Sequence, residues 1–381
     1  MSGVYIHIPF CKQACHYCNF HFSTSTGLKK QFLAALLKEI YLTAAPSNAP
    51  LPQNKRESCE TIYFGGGTPS ILDITEVTMI IEALHKYFFV DENAEVTLEA
   101  NPDDITPAKL IQWKNAGINR LSVGIQSFAD DELRWMNRAH TAVDSLRCIK
   151  DIQEAGFTNY SIDLIYGSPL LSNEKWKANV KTVVENKVPH ISCYGLTVEP
   201  KTALDSMIAQ KKMAPVDPER QAAQFLLLMD WMEAAGYEHY EISNFALPGM
   251  HSRHNSSYWQ GRKYYGFGPS AHSFDVVSRR WNIANNALYI KSLENDRIPF
   301  EQEMLTSNQQ LNEYIMTSLR TQEGIDLEKV NHQFGEKFSV GLLRSSIKYT
   351  ENNQMDNSKS HLILTKSGKL FADGIAADLF F

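Results

Sequence analysis

Short apolar runs alternate with amphipathic stretches along the first two hundred residues of this 381-residue sequence. Runs rich in β-branched and aromatic residues predict strands, and apolar residues three or four apart predict helices. The predicted strands are residues 4–8, 61–64, 96–99, 121–126, 160–166 and 190–196. No Rossmann phosphate fingerprint follows the first of them. Six strand-then-helix units in series therefore predict an α/β fold with a full or partial parallel barrel.

The alternation of predicted strands and helices ends beyond about residue 288. The helical spacing that follows predicts a mainly helical domain. The predicted elements of the second half are helices at 216–235, 308–319 and 337–349, a strand at 239–242, and a small β or winged element at 361–364 and 374–380. Residues 46–58, rich in proline and asparagine, predict a surface loop. We expect a barrel domain over residues 1–287 and a mainly helical domain over residues 288–381.

Charge and composition disfavour some binding partners and some cellular locations. The sequence has 37 Lys and Arg against 43 Asp and Glu, and no run of basic residues forms a patch, which disfavours nucleic acid. The N-terminus lacks the basic start and apolar stretch of a secretory signal. No segment approaches the roughly 20 apolar residues of a membrane span. We expect a cytoplasmic protein without an integral membrane segment.

Three of the six cysteines lie within eight positions, as Cys11-Lys-Gln-Ala-Cys15-His-Tyr-Cys18, directly after the first predicted strand. In a large chain without an export signal, such a cluster indicates metal ligation rather than disulfides. Iron–sulfur clusters normally take one thiolate per iron, so three cysteines can hold a [4Fe–4S] cube and leave one iron open. The amino and carboxylate groups of S-adenosylmethionine (SAM) can chelate that iron, and cleavage of SAM then supplies an adenosyl radical.

A structural zinc site is the alternative for this loop, with His16 or His21 as the fourth ligand. Zinc sites more often use two separated pairs of ligands, so one compact three-cysteine loop favours the iron–sulfur cluster. With zinc, the chain would be a structural or interaction protein.

Polar residues recur at the ends of successive predicted strands. Residues 65–69 (GGGTP) follow the second strand, Glu99 and Gln126 close the third and fourth, and Asp163 lies in the fifth. Barrel active sites lie at the carboxyl ends of the strands, so these residues and the cysteine loop are predicted to share one rim. Glycines let backbone N–H groups approach a ligand, here the carboxylate of SAM. Arg138 could reach the same rim or lie on a solvated helix.

Several motifs resemble the coproporphyrinogen III oxidase-like branch of the radical SAM proteins. They are the cysteine loop and residues 5–11, 65–69, 98–102, 124–128, 137–138, 163–167 and 364–369 (YIHIPFC, GGGTP, LEANP, GIQSF, NR, DLIYG and LTKSGK). The resemblance covers essentially the whole chain. It implies an incomplete (β/α)6 radical SAM barrel with a C-terminal mainly helical domain, and a cluster held by Cys11, Cys15 and Cys18.

The resemblance also implies SAM contacts by position. The implied contacts with a first SAM are Tyr5, Gly66, Gly67, Thr68 and Glu99. Those with a second SAM in the oxidase are Gln126, Arg138 and Asp163, with Gly195 and His272 at further contact positions.

This branch contains both a decarboxylase of coproporphyrinogen III and a group of haem chaperones. The oxidase loop continues as C-x3-C-x2-C-x-C after an N-terminal arm, whereas here Phe20 replaces the fourth cysteine and four residues precede Tyr5. The chaperones have an H-N-x-x-Y-W motif, which is similar to His254-Asn255-Ser256-Ser257-Tyr258-Trp259 in the segment 251–259. Histidine can ligate haem iron and aromatic rings can stack on the macrocycle. His251 is a competing ligand, and a polar turn with packed aromatics is the structural alternative.

We therefore expect a haem chaperone that binds a [4Fe–4S] cluster, SAM and haem and transfers haem to haem-requiring proteins. The resemblance implies membrane respiratory enzymes as recipients. The alternative is an oxygen-independent coproporphyrinogen III oxidase, so the sequence leaves open whether the chain is an enzyme. It also leaves open whether SAM is cleaved and whether the protein is a monomer or a cluster-dependent dimer.

Overall fold

One large, open sheet organises the computed structural model, which describes residues 2–44, 55–358 and 360–381. Its strands, in chain order, are β1 (Ser2–Ile8), β2 (Ser58–Gly66), β3 (Phe89–Ala100), β4 (Arg120–Gln126), β5 (Tyr160–Tyr166), β6 (His190–Gly195), β7 (Glu238–Glu241), β8 (Asn244–Ala246), β9 (Tyr264–Phe267), β10 (His272–Phe274), β11 (Ser278–Asn282) and β12 (Phe300–Met304). Strands β1 to β6 pair in parallel and in sequence order. The sheet runs from β12 through β9, β1 and β6 to β7 without closing. The predicted incomplete barrel of six units is confirmed.

Helices cover this sheet, and local sequence signals fix where several of them begin and end. They are α1 (Lys29–Ala44), α2 (Ile74–Tyr87), α3 (Pro107–Asn115), α4 (Asp130–Trp135), α5 (Ala142–Glu154), α6 (Asn173–Glu185), α7 (Ala203–Ala209), α8 (Pro218–Ala234), α9 (Arg253–Trp259) and α10 (Asn286–Glu294). A capping box of Asp73 and Glu76 starts α2. Gly117 and Gly156, with φ of 98° and 74°, follow the ends of α3 and α5 and turn the chain toward the next strand.

A smaller unit follows the main sheet. It contains α11 (Ser307–Leu319), β13 (Ile325–Asp326), α12 (Leu327–Phe334), α13 (Glu336–Glu351), β14 (Met355–Ser358), β15 (His361–Leu364) and α14 (Ala372–Asp378), with strand order β13-β15-β14. The predicted helices 308–319 and 337–349 are confirmed. The predicted β structure at 374–380 is wrong, because Ile375, Ala376 and Leu379 lie on one buried face around α14. Residues 46–54 of the predicted loop lie outside the described residues.

The two largest hydrophobic clusters of the described residues lie in different parts of the chain. Tyr289, Ile290 and Leu293 pack in the cluster under the main sheet, whereas Leu311 belongs to the cluster of the C-terminal unit. The predicted division after residue 287 stays a prediction, and we propose that the boundary lies after β12. Within the described ranges, no helix is both long and apolar enough to cross a bilayer.

A buried carboxylate joins α1 to the far end of the main sheet. Glu39 has no exposed surface, and its oxygens accept hydrogen bonds from the Gly268 N–H at 2.8 Å, the Tyr289 hydroxyl at 2.6 Å and the Asn282 amide at 2.6 Å. Burial raises the pKa of Glu39 above its ordinary value. The segment after β8 is therefore tied to the first helix by a polar contact that hydrophobic periodicity does not reveal.

We expect Glu39→Leu to lower the free energy of unfolding by about 3–5 kcal/mol, because three buried donors lose their acceptor. Glu39→Gln keeps one oxygen acceptor and should cost less. Because folding favours the protonated form of Glu39, its contribution to stability falls as the pH rises through its folded pKa, and Glu39→Gln should remove that dependence. Urea unfolding at several pH values measures both effects. Equal losses in the two variants would contradict this description of the contact.

Candidate cluster and SAM site

A pocket of about 460 Å³ opens at the carboxyl ends of the parallel strands. Parallel pairing brings these ends together, so residues far apart in sequence meet on one rim. The predicted residues that line the pocket are Cys11, Cys15, Cys18, Gly66, Gly67, Thr68, Glu99, Gln126, Arg138, Asp163 and Gly195. The structure thus brings the cysteine loop and nearly all predicted SAM contacts to one place, while their roles stay predictions.

The glycine turn after β2 holds the cysteine loop in position. The Gly67 N–H donates to the Ile8 carbonyl at 2.8 Å, and the Thr68 N–H donates to the Phe10 carbonyl at 2.7 Å. The Thr68 hydroxyl donates to the sulfur of Cys11 at 3.4 Å. A Cβ atom on Gly67 would lie 2.6 Å from the Phe10 carbonyl oxygen, so the approach requires glycine. These two amides therefore bind the loop, rather than facing a ligand as the sequence suggested.

The three thiols are available as metal ligands, as the predicted iron–sulfur cluster requires. All three cysteines are free of disulfides, and burial raises the pKa of Cys18 to about 11. Bound iron favours the thiolate and would reverse that shift. The Nδ1 of His16 lies 2.8 Å from the Trp135 carbonyl, and the Nε2 of His21 lies 2.7 Å from the Asn286 amide oxygen. Each contact uses one ring nitrogen, and a metal-bound histidine commonly makes such a contact through its other nitrogen. The preference for iron–sulfur over zinc therefore rests on the spacing of the cysteines.

Arg138 reaches the rim and is not a solvated helix residue. Its Nη2 donates to the Asn101 amide oxygen at 2.8 Å and to the Gly124 carbonyl at 2.6 Å, and its Nη1 lies 3.3 Å from the sulfur of Cys15. Its Nε is buried and has no partner among the described residues. A buried cation with an unused donor suits the carboxylate of SAM. Asn101, which lies within the LEANP motif, was not singled out from the sequence.

Two carboxylates that also line the pocket could bind a positively charged part of a ligand. The Tyr63 hydroxyl donates to Glu99 at 2.8 Å, and the Ser122 hydroxyl lies 3.4 Å from Asp163. Burial raises the pKa of Glu99 to about 8 and that of Asp163 to about 6. A positively charged group would relieve the cost of ionising them. The amino and sulfonium groups of SAM carry such charges, so the donor set fits this cofactor.

Two rim residues add to the prediction, and one predicted residue lies outside the pocket. Gln126 has a φ of 68°, a left-handed conformation that is costly outside glycine and concentrates at functional sites. Tyr194 lines the pocket from the end of β6 and was missed, although its place at a strand end was a usable signal. Tyr5 does not line the pocket: its hydroxyl lies 3.2 Å from the Nδ1 of His7, and its role in SAM binding stays a prediction.

The H-N-x-x-Y-W motif forms α9 and lies beside the amino ends of β1 to β3, away from the cluster pocket. Glu95 accepts hydrogen bonds from the backbone N–H groups of Arg253 at 3.1 Å and His254 at 3.0 Å. His254 is fully buried, with its Nδ1 2.7 Å from the Thr61 hydroxyl and its Nε2 2.8 Å from the Tyr258 hydroxyl. Asn255, Tyr258 and Trp259 are half-buried.

Comparisons with known proteins agree with this geometry. A family model described as the Radical SAM superfamily matches residues 5–183, and one described as the HemN C-terminal domain matches residues 305–371. A Bacillus subtilis protein named heme chaperone HemW is 33% identical over 379 residues, which span 98% of each chain. The chain belongs to the HemW family of radical SAM proteins. A HemW of Synechocystis is 34% identical over 366 residues, covering 93% of this chain and 88% of its own.

One solved structure has the same fold as this chain. Coproporphyrinogen III oxidase (HemN) from Escherichia coli has a TM-score of 0.84 over 99% of this chain and 89% of its own, at 22% identity, which shows a shared fold. The radical SAM match implies a [4Fe–4S] cluster and SAM. A bound cluster of this kind would be able to supply an electron for reductive cleavage of SAM. Around it, the described residues would supply three thiolates, a guanidinium for the carboxylate and two carboxylates for cationic groups.

We expect Gly67→Ala to lower cluster loading by about twofold or more, because the added Cβ must push the cysteine loop away from the turn. Iron and sulfide content after anaerobic reconstitution measures the effect. Gly27→Ala is the matched control, since its Cβ would meet only the Ser25 hydroxyl at 3.7 Å. Full loading of a folded Gly67→Ala protein would show that the turn does not position the loop.

We expect Arg138→Gln to weaken SAM binding about tenfold, because a charge-assisted contact to the carboxylate is lost. It should also lower the reduction potential of the cluster, because a hydrogen bond to a ligating sulfur is removed. Equilibrium SAM binding and a potentiometric titration measure the two effects. Arg134→Gln, at an exposed position on α4, is the control. Unchanged SAM affinity in Arg138→Gln would show that Arg138 does not bind SAM.

Proposed function

We propose that this HemW-family chain is a haem chaperone. It holds a [4Fe–4S] cluster on Cys11, Cys15 and Cys18, binds SAM in the rim pocket, binds haem through the segment around α9, and passes haem to haem-requiring proteins. The observation that carries the proposal is the similarity to the B. subtilis heme chaperone HemW over 98% of both chains. The structure supports it by providing separate places for the cluster and for the haem motif.

The oxidase alternative receives less support. The likeness to HemN at 22% identity concerns the fold alone. Phe20 stands where the resemblance implies a fourth cysteine in the oxidase, and this side chain is 66% exposed at the mouth of the pocket. No thiolate is available at that position, so the loop offers three cysteines, Cys11, Cys15 and Cys18.

The anaerobically reconstituted protein should bind about one haem per chain and pass it to a haem-free acceptor such as apomyoglobin. It should release no carbon dioxide from coproporphyrinogen III in the presence of SAM and a reductant. Absorption spectra follow haem binding and transfer, and product chromatography follows decarboxylation. Decarboxylation without stable haem binding would establish the oxidase instead.

A variant with Cys11, Cys15 and Cys18 all changed to Ser provides the internal control. It should lose the cluster but keep its haem affinity to within about twofold, because the haem segment lies at the other end of the barrel. Loss of haem binding with the cluster would place the haem in the rim pocket.

A further inference from the structure

Asn101, at the end of β3, has a side chain that does not do what its position in the backbone suggests. It occupies the N-cap position of a short helical turn, Pro102–Asp104. Asparagine at such a position usually accepts a backbone hydrogen bond through its side chain, but the side chain of Asn101 makes no cap contact. It lines the rim pocket instead. Helix capping therefore does not explain this residue, and its contacts in the pocket do.

The amide of Asn101 contacts two side chains that donate to the cysteine loop. Its Oδ1 accepts from the Nη2 of Arg138 at 2.8 Å, and its Nδ2 donates to the hydroxyl oxygen of Thr68 at 3.4 Å. A guanidinium can only donate, so the amide oxygen must face Arg138 and the amide nitrogen must face Thr68. The Thr68 oxygen accepts that hydrogen bond, which leaves its own proton for the sulfur of Cys11 at 3.4 Å.

These contacts form a continuous chain of hydrogen bonds between two of the three sulfurs. At one end the Nη1 of Arg138 lies 3.3 Å from the sulfur of Cys15, and at the other end Thr68 donates to the sulfur of Cys11. Asn101 lies in the middle and is the link between the two donors. The direction of each hydrogen bond in the chain follows from the amide, because it offers one acceptor on one side and one donor on the other.

Hydrogen bonds to the sulfurs of an iron–sulfur cluster raise its reduction potential, because they stabilise the additional negative charge of the reduced form. Such a bond counts only while the donor points at the sulfur. Both donors have other options here: a threonine hydroxyl can rotate, and Arg138 also donates to the Gly124 carbonyl at 2.6 Å. A group that holds both donors in place therefore influences the potential without touching the cluster.

We propose that Asn101 is a positioning residue for the cluster. It directs the Thr68 hydroxyl to Cys11 and the Arg138 guanidinium to Cys15, and it thereby raises the reduction potential of the cluster. The proposal rests on the cluster that the proposed function includes and is independent of where haem binds. Aspartate could not replace Asn101, because a carboxylate would accept the Thr68 proton and leave the sulfur of Cys11 without that donor.

The test is a potentiometric titration of the full-length, anaerobically reconstituted protein without SAM, followed by electron paramagnetic resonance of the reduced cluster. Asn101→Leu keeps the size of the side chain and removes both polar groups. At a given potential it should shift the ratio of oxidised to reduced cluster about tenfold toward the oxidised form, which is about 59 mV for one electron. Asn101→Asp keeps the shape of the side chain and should shift the ratio in the same direction, so it decides the question if Asn101→Leu does not fold.

A double-mutant cycle with Thr68→Val separates positioning from other effects of the substitution. Once the Thr68 hydroxyl is absent, Asn101→Leu should shift the ratio by only about threefold, because the contact with Arg138 alone is left to lose. Asn101→Asp should likewise have a smaller effect in the Thr68→Val background. Equal shifts in the two backgrounds would overturn the proposal, because Asn101 would then not act through Thr68.

Asn295→Leu is the matched control, since Asn295 is exposed at the end of α10 and its amide donates to the Lys291 carbonyl at 2.8 Å. It should leave the potential unchanged. If the wild type assembles no cluster, the proposed function itself fails. If the Asn101 variants assemble a cluster with the potential of the wild type, the role of Asn101 alone is overturned.

Discussion

The close approach of one glycine to two carbonyl groups is the contact on which the rest of the site depends. Gly67 and Thr68 donate to the carbonyls of Ile8 and Phe10, and this fixes the chain just before Cys11 against the end of β2. A side chain on Gly67 would occupy the space of the Phe10 carbonyl. Because β2 lies between β1 and β3 in the sheet, the same contact also places the cysteine loop near Glu99 and the other strand ends.

The two ends of the barrel have different chemistry and share a polar interior. At the carboxyl end, thiols, carboxylates and Arg138 face an open pocket. At the amino end, Glu95 and Thr61 bind α9. Arg120 is only 1% exposed and lies in the interior, where its Nε is 3.9 Å from Oε2 of Glu95. Burial raises the pKa of Asp163 and lowers the pKa of His254 to about 3. The positive charge of Arg120 lowers both pKa values. One buried cation thus influences both ends.

Periodicity and strand-end position predicted much of the barrel and its rim, but not contacts that depend on tertiary packing. The six long parallel strands have clear apolar patterns, whereas β9 to β12 have three to five residues each and carry too little pattern to predict. The direction of the Gly67 and Thr68 amides depends on the neighbouring strand, which a motif does not describe. A cleft of about 510 Å³ lies between α9 and the helices α11 and α12, which begin more than forty residues later, so spacing alone could not reveal it.

The central claim is that one chain keeps its cluster and its haem at separate sites on opposite sides of the barrel interior. The most direct test is anomalous diffraction at the iron edge from crystals of reconstituted protein loaded with haem. The account predicts two iron positions, one beside Cys11, Cys15 and Cys18 and one beside the segment around α9. A haem iron within the rim pocket, with none beside α9, would contradict it.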